Sequence, residues 1–237
     1  MGFKTSALLT AASVLLASAP AFATTFTFDG SNLPGATEAG KTKSITTSFN
    51  NTNNKFSWSS TYAKNKDGIL PDGLWLVAND GPNPKGHTGE LAIYYLDGIN
   101  KKVSIFDYNG ANSSNSLTNP GNFLGSTTLE VTESDKEKTF AFNFDTDDFD
   151  LSGISDKAAW KGSAFDKNIG LWVHGVSGLE TAYDAKTGVL TKFGYAKQSW
   201  YDVSDEHATA VPEPASAAAL GLFAVAGAFV KRSKQSA

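Results

Sequence analysis

No cysteine occurs among the 237 residues, and arginine occurs once, as Arg232 near the C-terminal end. The first absence excludes disulfide frameworks, thiolate metal sites and thiol catalysis. The second removes the planar fork that grips phosphate or carboxylate in bidentate fashion. Histidine is scarce: His87, His174 and His207 stand far apart, without the HxH or HExxH spacing of a zinc site. Between the two ends of the chain no window repeats convincingly every 3.6 residues, and Ile154 to Trp160 has room for a single helical turn. Phosphate loops, dinucleotide fingerprints and solenoid or propeller repeats are missing as well.

What is present begins at the ends. Lys4 supplies a basic start, Ala7 to about Ala17 an apolar run, and Ala21-Phe22-Ala23 a small-x-small cleavage site. Residues 1–23 therefore read as a secretory signal peptide, cut after Ala23 by signal peptidase. At the other end, Val211-Pro212-Glu213-Pro214 precedes an uncharged run, residues 215–230, and then Lys231-Arg232-Ser233-Lys234. Sixteen helical residues at 1.5 Å each span about 24 Å, somewhat short of a bilayer core of about 30 Å. Membrane thinning or snorkelling of Lys231 and Arg232 closes that gap. The basic end stays cytoplasmic. Pro212 and Pro214 stop any helix entering from upstream. Gly221 and Gly227 let another helix approach closely.

This tripartite tail resembles a PEP-CTERM sorting signal. The resemblance implies a Gram-negative-type bacterium, export, transient residence in the inner membrane, and handling by an exosortase-type protease. The destination it implies is the cell envelope, outer surface or extracellular matrix. A plain, uncut C-terminal anchor is the alternative reading of the same residues.

Removing both ends changes the charge. Without Lys4, Lys231, Arg232 and Lys234 there remain 16 basic residues, all lysine; without Glu213 there remain 23 acidic ones, so residues 24–210 carry −7. That charge disfavours nucleic acid and anionic lipid as partners. The span has the size of one domain and can bury a core without staples. We expect an all-β, sandwich or jelly-roll-like domain over 24–203, a flexible stalk over 204–210 and the sorting signal over 211–237.

Strand signals carry that expectation. Phe140, Phe142 and Phe144 alternate with small or polar residues, a period of two. Leu74–Val77, Leu91–Leu96 and Ile169–Val173 are near-continuous apolar runs suited to central strands. Thr25–Phe28, Ser44–Phe49, Lys55–Tyr62, Val103–Tyr108 and Thr191–Val203 add further strands. Asx-Gly pairs at 29–30, 67–68, 72–73, 97–98 and 109–110 read as turns accepting positive φ. Asp97-Gly98-Ile99-Asn100 predicts one hairpin, and Asp184 to Gly188 a second. Asn79–Gly89 and Asn109–Asn122 are polar loops between strands, the usual seat of a ligand site.

Phrases such as Gly73-Leu-Trp-Leu-Val-Ala-Asn-Asp-Gly, Gly89-Glu-Leu-Ala-Ile93, Trp160-Lys-Gly162 and Ile169-Gly-Leu-Trp-Val-His174 resemble a family of exported PEP-CTERM proteins of cyanobacteria and related bacteria. That resemblance covers most of residues 55–203 and implies no particular reaction.

Candidate chemistry is sparse. Asp145, Asp147, Asp148 and Asp150 crowd six positions, as calcium ligands or as a solvated acidic turn; Phe149 and Asp150 break the EF-hand pattern. His87 and Asp80 share the first polar loop. His174 ends an apolar strand and is expected to pack or hydrogen-bond there. Ser177 lacks the glycine two residues before it that a nucleophile elbow needs. Trp75 and Trp172 fall inside apolar runs and are expected in the core. Trp58 with Tyr62, and Trp200 with Tyr201, are the aromatics expected at the surface, where they would stack on sugar rings. With the sorting-signal resemblance, the first reading is a non-enzymatic envelope or matrix protein, its association with exopolysaccharide resting on analogy with sugar-binding sandwiches. The second reading is a polysaccharide-acting enzyme of lectin-like fold, which would require paired carboxylates in a cleft.

Overall fold

The computed structural model describes residues 23–29, 37–50, 54–79, 90–107, 117, 121–149, 170–204 and 209–212. The strands are β1 (Ala23–Asp29), β2 (Lys41–Asn50), β3 (Lys55–Ala63), β4 (Gly73–Asn79), β5 (Glu90–Asp97), β6 (Lys102–Asp107) and β7 (Phe123–Thr128). They continue as β8 (Glu130–Glu133), β9 (Glu137–Asp145), β10 (Gly170–Ser177), β11 (Glu180–Tyr183), β12 (Leu190–Gly194), β13 (Lys197–Ser204) and β14 (Thr209–Pro212). The protein is all-β. Among the described residues the sole helical element is a 3-10 turn, Thr146–Asp148. None of them forms a helix long and apolar enough to cross a membrane. Residues 1–22, 213–237 and the Ile154–Trp160 stretch lie outside the described residues.

Two six-stranded antiparallel sheets organise these strands. One runs β14-β1-β2-β3-β9-β8, the other β13-β10-β4-β5-β6-β7, and β11-β12 forms a separate hairpin. Alternation decides which side chains meet. On β3, Phe56, Trp58, Ser60 and Tyr62 point inward; on β9, Phe140, Phe142 and Phe144 do so. The aromatic ones among them join Leu74 and Leu76 of β4, Tyr94 of β5, Ile105 of β6 and Val173 of β10 in one apolar cluster drawn from both sheets. Phe56 stacks on Tyr94 at 5.7 Å and on Phe144 at 5.2 Å between ring centroids. Each such buried side chain contributes about 1.5–3 kcal/mol relative to exposure.

The run in β4 is buried on both faces, as its unbroken hydrophobicity predicts. Leu74 and Leu76 enter the inter-sheet core, whereas Trp75 and Val77 enter a second cluster with Ile93, Tyr95, Phe106, Val176, Leu190 and Phe193. The β11-β12 hairpin supplies Leu190 and Phe193 and so caps part of the outer face of the β4-β5-β10 sheet. Asp97 locks the hairpin in place. Its carboxylate accepts hydrogen bonds from the Ile99 and Asn100 backbone, from Asn100 Nδ2 at 2.8 Å, from Thr181 Oγ1 at 2.6 Å and from the Tyr183 hydroxyl at 2.9 Å.

Both predicted hairpins form, β5 to β6 and β11 to β12. The role of glycine in the first differs from expectation. The left-handed residue of that turn is Lys101, at φ 54°, and Gly98 has no positive φ. Gly98 is required by space instead, since a Cβ there would sit 2.2 Å from the Asp72 carbonyl oxygen. The expected stalk also differs at its far end. Residues 209 and 210 belong to β14, which pairs antiparallel with β1 in the register Thr24↔Pro212 to Thr27↔Thr209. Proline is tolerated there because β14 is an edge strand.

Candidate functional site

The outer face of β10 and β13 gathers aromatic and polar side chains. Cross-strand register places Tyr95, Trp75, His174 and Trp200 in one row over four strands. Trp172 lies two residues before His174 and therefore shares its face. The His174 ring stacks on the Trp75 indole, 3.8 Å between centroids and 13° apart. Trp172 meets Trp75 edge-on at 5.1 Å and His174 at 5.2 Å. His174 Nδ1 lies 3.2 Å from Gln198 Oε1, which also accepts from the Tyr195 hydroxyl at 2.9 Å. An amide oxygen only accepts, so this contact selects the Nδ1–H tautomer. Burial pushes the Tyr195 phenol above its ordinary value, with the Trp75 indole offsetting part of that. Trp75 and His174 are buried, whereas Trp172, Tyr195, Gln198 and Trp200 are half-buried. The result is a shelf of partly exposed indoles on a rigid base of stacked rings, with an amide and a phenol beside it.

Of the aromatics predicted at the surface, Trp200 lies on this shelf. Trp58 and Tyr62 do not. Both are core side chains, 2 % and 0 % exposed. Strand alternation turns them inward with Phe56. Ser60 Oγ accepts the Trp58 indole N–H at 3.1 Å, so that polar edge needs no water. Tyr62 packs edge-on against Phe140 at 6.0 Å. The Tyr201 side chain lies outside the described residues. Trp172, predicted in the core, is half-buried on the shelf. The sequence contained its signal, because period two puts Trp172 and His174 on one face; the pairing of β10 with β13 was the missing half. His174 packs and hydrogen-bonds as expected. Ser177 falls on the opposite face from His174, which removes that pair as a nucleophile and base.

The aspartate cluster has a local structural role. Asp145 caps the 3-10 turn by accepting from the Asp147 N–H at 3.0 Å, and Asp147 accepts from Asn54 Nδ2 at 3.1 Å. Asp145 and Asp148 line a cleft of about 400 Å³ together with Lys55, an ammonium where a calcium site would need oxygen. Among the described residues no three His, Asp or Glu side chains converge to hold a metal ion. Asp150, His87, Asp80 and His207 lie outside the described residues. So does most of the two polar loops; Leu117, at φ 54°, is described and packs into the outer cluster.

A buried and a half-buried carboxyl behave in opposite ways. Burial pushes Asp97 up, but the hydrogen bonds from Asn100, Thr181 and Tyr183 outweigh it and hold the carboxyl below its usual range. Burial pushes Asp107 up as well, and a single hydrogen bond from Asn122 offsets that only in part. Asp107 ends β6, next to the second polar loop, and sequence reasoning did not single it out.

Compared with family models, curated proteins and solved structures, the chain finds no match in any of the three.

Proposed function

We propose that this protein is an exported, non-enzymatic component of the cell envelope or extracellular matrix. Its domain is a β-sandwich of jelly-roll-like form that associates with exopolysaccharide through the shelf on β10 and β13. The PEP-CTERM-like tail and the Ala21-Phe22-Ala23 site support export, cleavage by signal peptidase and handling by an exosortase-type protease. Before processing, residues 215–230 hold the chain in the membrane.

The observation that carries the binding reading is the half-exposed pair Trp172 and Trp200 beside Gln198 and Tyr195. A pyranose presents an apolar C–H face that suits an indole, and its hydroxyls suit an amide and a phenol at the ring edge. Rings already fixed by stacking lose little freedom when a sugar settles on them. The processed protein recovered from the medium should begin at Thr24 and lack Lys231 to Lys234. Trp172→Ala and Trp200→Ala should each weaken retention on the host's own exopolysaccharide without unfolding the domain. Full-length chain kept in the membrane would favour the uncut anchor, and unchanged retention would remove the shelf as the binding face.

A second reading, a polysaccharide-acting enzyme, is favoured by one observation, the raised Asp107 at a strand end. Burial that raises a carboxyl favours the acid form that a general acid needs, and a second carboxylate would have to stand opposite. Release of reducing ends that disappears in Asp107→Asn would establish it.

A further inference from the structure

The other sheet carries a cleft of opposite character. Lys41, Thr42 and Lys43 open β2, Ala63 ends β3 with Lys64 just after it, and Glu137 opens β9 with Lys136 just before it; together they line a concavity of about 460 Å³. The register explains the gathering, since Lys41 pairs with Ala63 and Ala63 with Glu137. The Lys64 N–H also donates to the Lys136 carbonyl at 3.2 Å, which fixes the last two lysine backbones against each other. Four lysines thus share the lining with one carboxylate, that of Glu137. Glu137 is taken by Lys43, and Lys41, Lys64 and Lys136 have no ion pair among the described residues. In a domain whose formal charge is −7, the cleft lining carries +3.

We propose that this cleft binds the carboxylate-bearing sugar units of an anionic polysaccharide. The inference rests on the polysaccharide reading above and adds the chemical class of the polymer. The volume lies within the usual range of about 300–1,000 Å³ for small-ligand pockets, enough for one or two sugar rings. Ala63 and the aliphatic lysine stems offer apolar wall to a sugar's C–H face, while the ammonium heads meet its carboxylate. Lysine is a movable point charge and suits a single carboxylate per ring; the site has no arginine fork to match a phosphate. A densely charged polyphosphate or nucleic acid is also repelled by the rest of the domain, more so than a polymer with one charge per ring.

The test uses the processed protein and its Lys41→Gln/Lys64→Gln/Lys136→Gln variant, titrated with an oligogalacturonate, a neutral glucan oligomer and inorganic phosphate. Lys43 is kept so that Glu137 remains paired. A Lys186→Gln/Lys192→Gln/Lys197→Gln variant controls for the same change in net charge. The expected result is a tenfold or greater loss of oligogalacturonate affinity in the cleft variant only, with thermal midpoints unchanged and neutral-glucan binding retained. Equal losses in both variants, or none in either, would overturn the cleft. Phosphate competing as well as oligogalacturonate would overturn the sugar assignment and leave a general anion site. Neutral-glucan binding that depends on Trp172 and Trp200, without uronate binding, would overturn the cleft and leave the shelf reading intact. Loss of both activities would overturn the two together.

Discussion

Tyr94 and Asp97 show how hydrogen bonding decides the outcome of burial for two polar groups of one strand. The Tyr94 hydroxyl has no hydrogen-bond partner among the described residues, and burial pushes the phenol far up. An unpaired buried hydroxyl costs about 1–3 kcal/mol, so Tyr94→Phe should leave stability unchanged or raise it. Phe56→Ala, which removes the ring stacked directly on Tyr94, should cost about 3–5 kcal/mol. Chemical denaturation of the two variants checks both. Asp97 is buried but fully met by donors, and its carboxyl is held below the unfolded value of about 3.9. A depressed carboxyl contributes stability above the unfolded pKa and loses it as pH falls through the folded one. The stability gap between the parent and Asp97→Asn should therefore be largest near neutrality and narrow below about pH 4. A gap that stays constant down to pH 2 would mean that Asp97 acts only through its shape.

At the scale of elements, the β11-β12 hairpin covers aromatic surface that would otherwise face water. Phe193→Ala should cost about 3–5 kcal/mol by the usual cost of a buried phenylalanine. It should also shift tryptophan emission to the red, because Trp75 and Tyr95 lie beneath it. An unchanged spectrum would mean that Phe193 is not what keeps water from that face. How far the elements were legible follows from the same physics. Runs with clear period two or unbroken hydrophobicity, such as β3, β4 and β9, were readable because a strand's burial is written into its own residues. β7 and β8 were not singled out, since exposed Ser, Thr and Glu on edge strands leave a weak pattern. β12 and β13 read as one run because only Tyr195 and Ala196 separate them. The shelf was half legible for a further reason. Which residues share a face is local information, whereas which strand lies alongside is not, and Trp172 and Trp200 come onto one face only through the pairing of distant strands.

At the scale of the whole molecule, the first and last described strands lie side by side. β14 covers the edge of β1, so a chain ending at Ser204 should retain the inter-sheet core but expose the backbone donors and acceptors of β1. Faster amide exchange confined to residues 24–27, with a small fall in thermal midpoint, is the expected outcome. Global unfolding of that shorter chain would show that the edge is integral to the core.

The register of that pairing also sets how the domain bears load. Thr24 and Pro212 are direct partners in neighbouring antiparallel strands, so the two ends leave from the same corner. Tension applied between them does not shear the strands past one another. It peels the ladder open from that corner, one hydrogen-bonded pair after the next. Each rupture bears the force alone, and the onset of unravelling should be soft. A domain held by both ends would yield at β14 first, while one held by its faces would not feel that weakness.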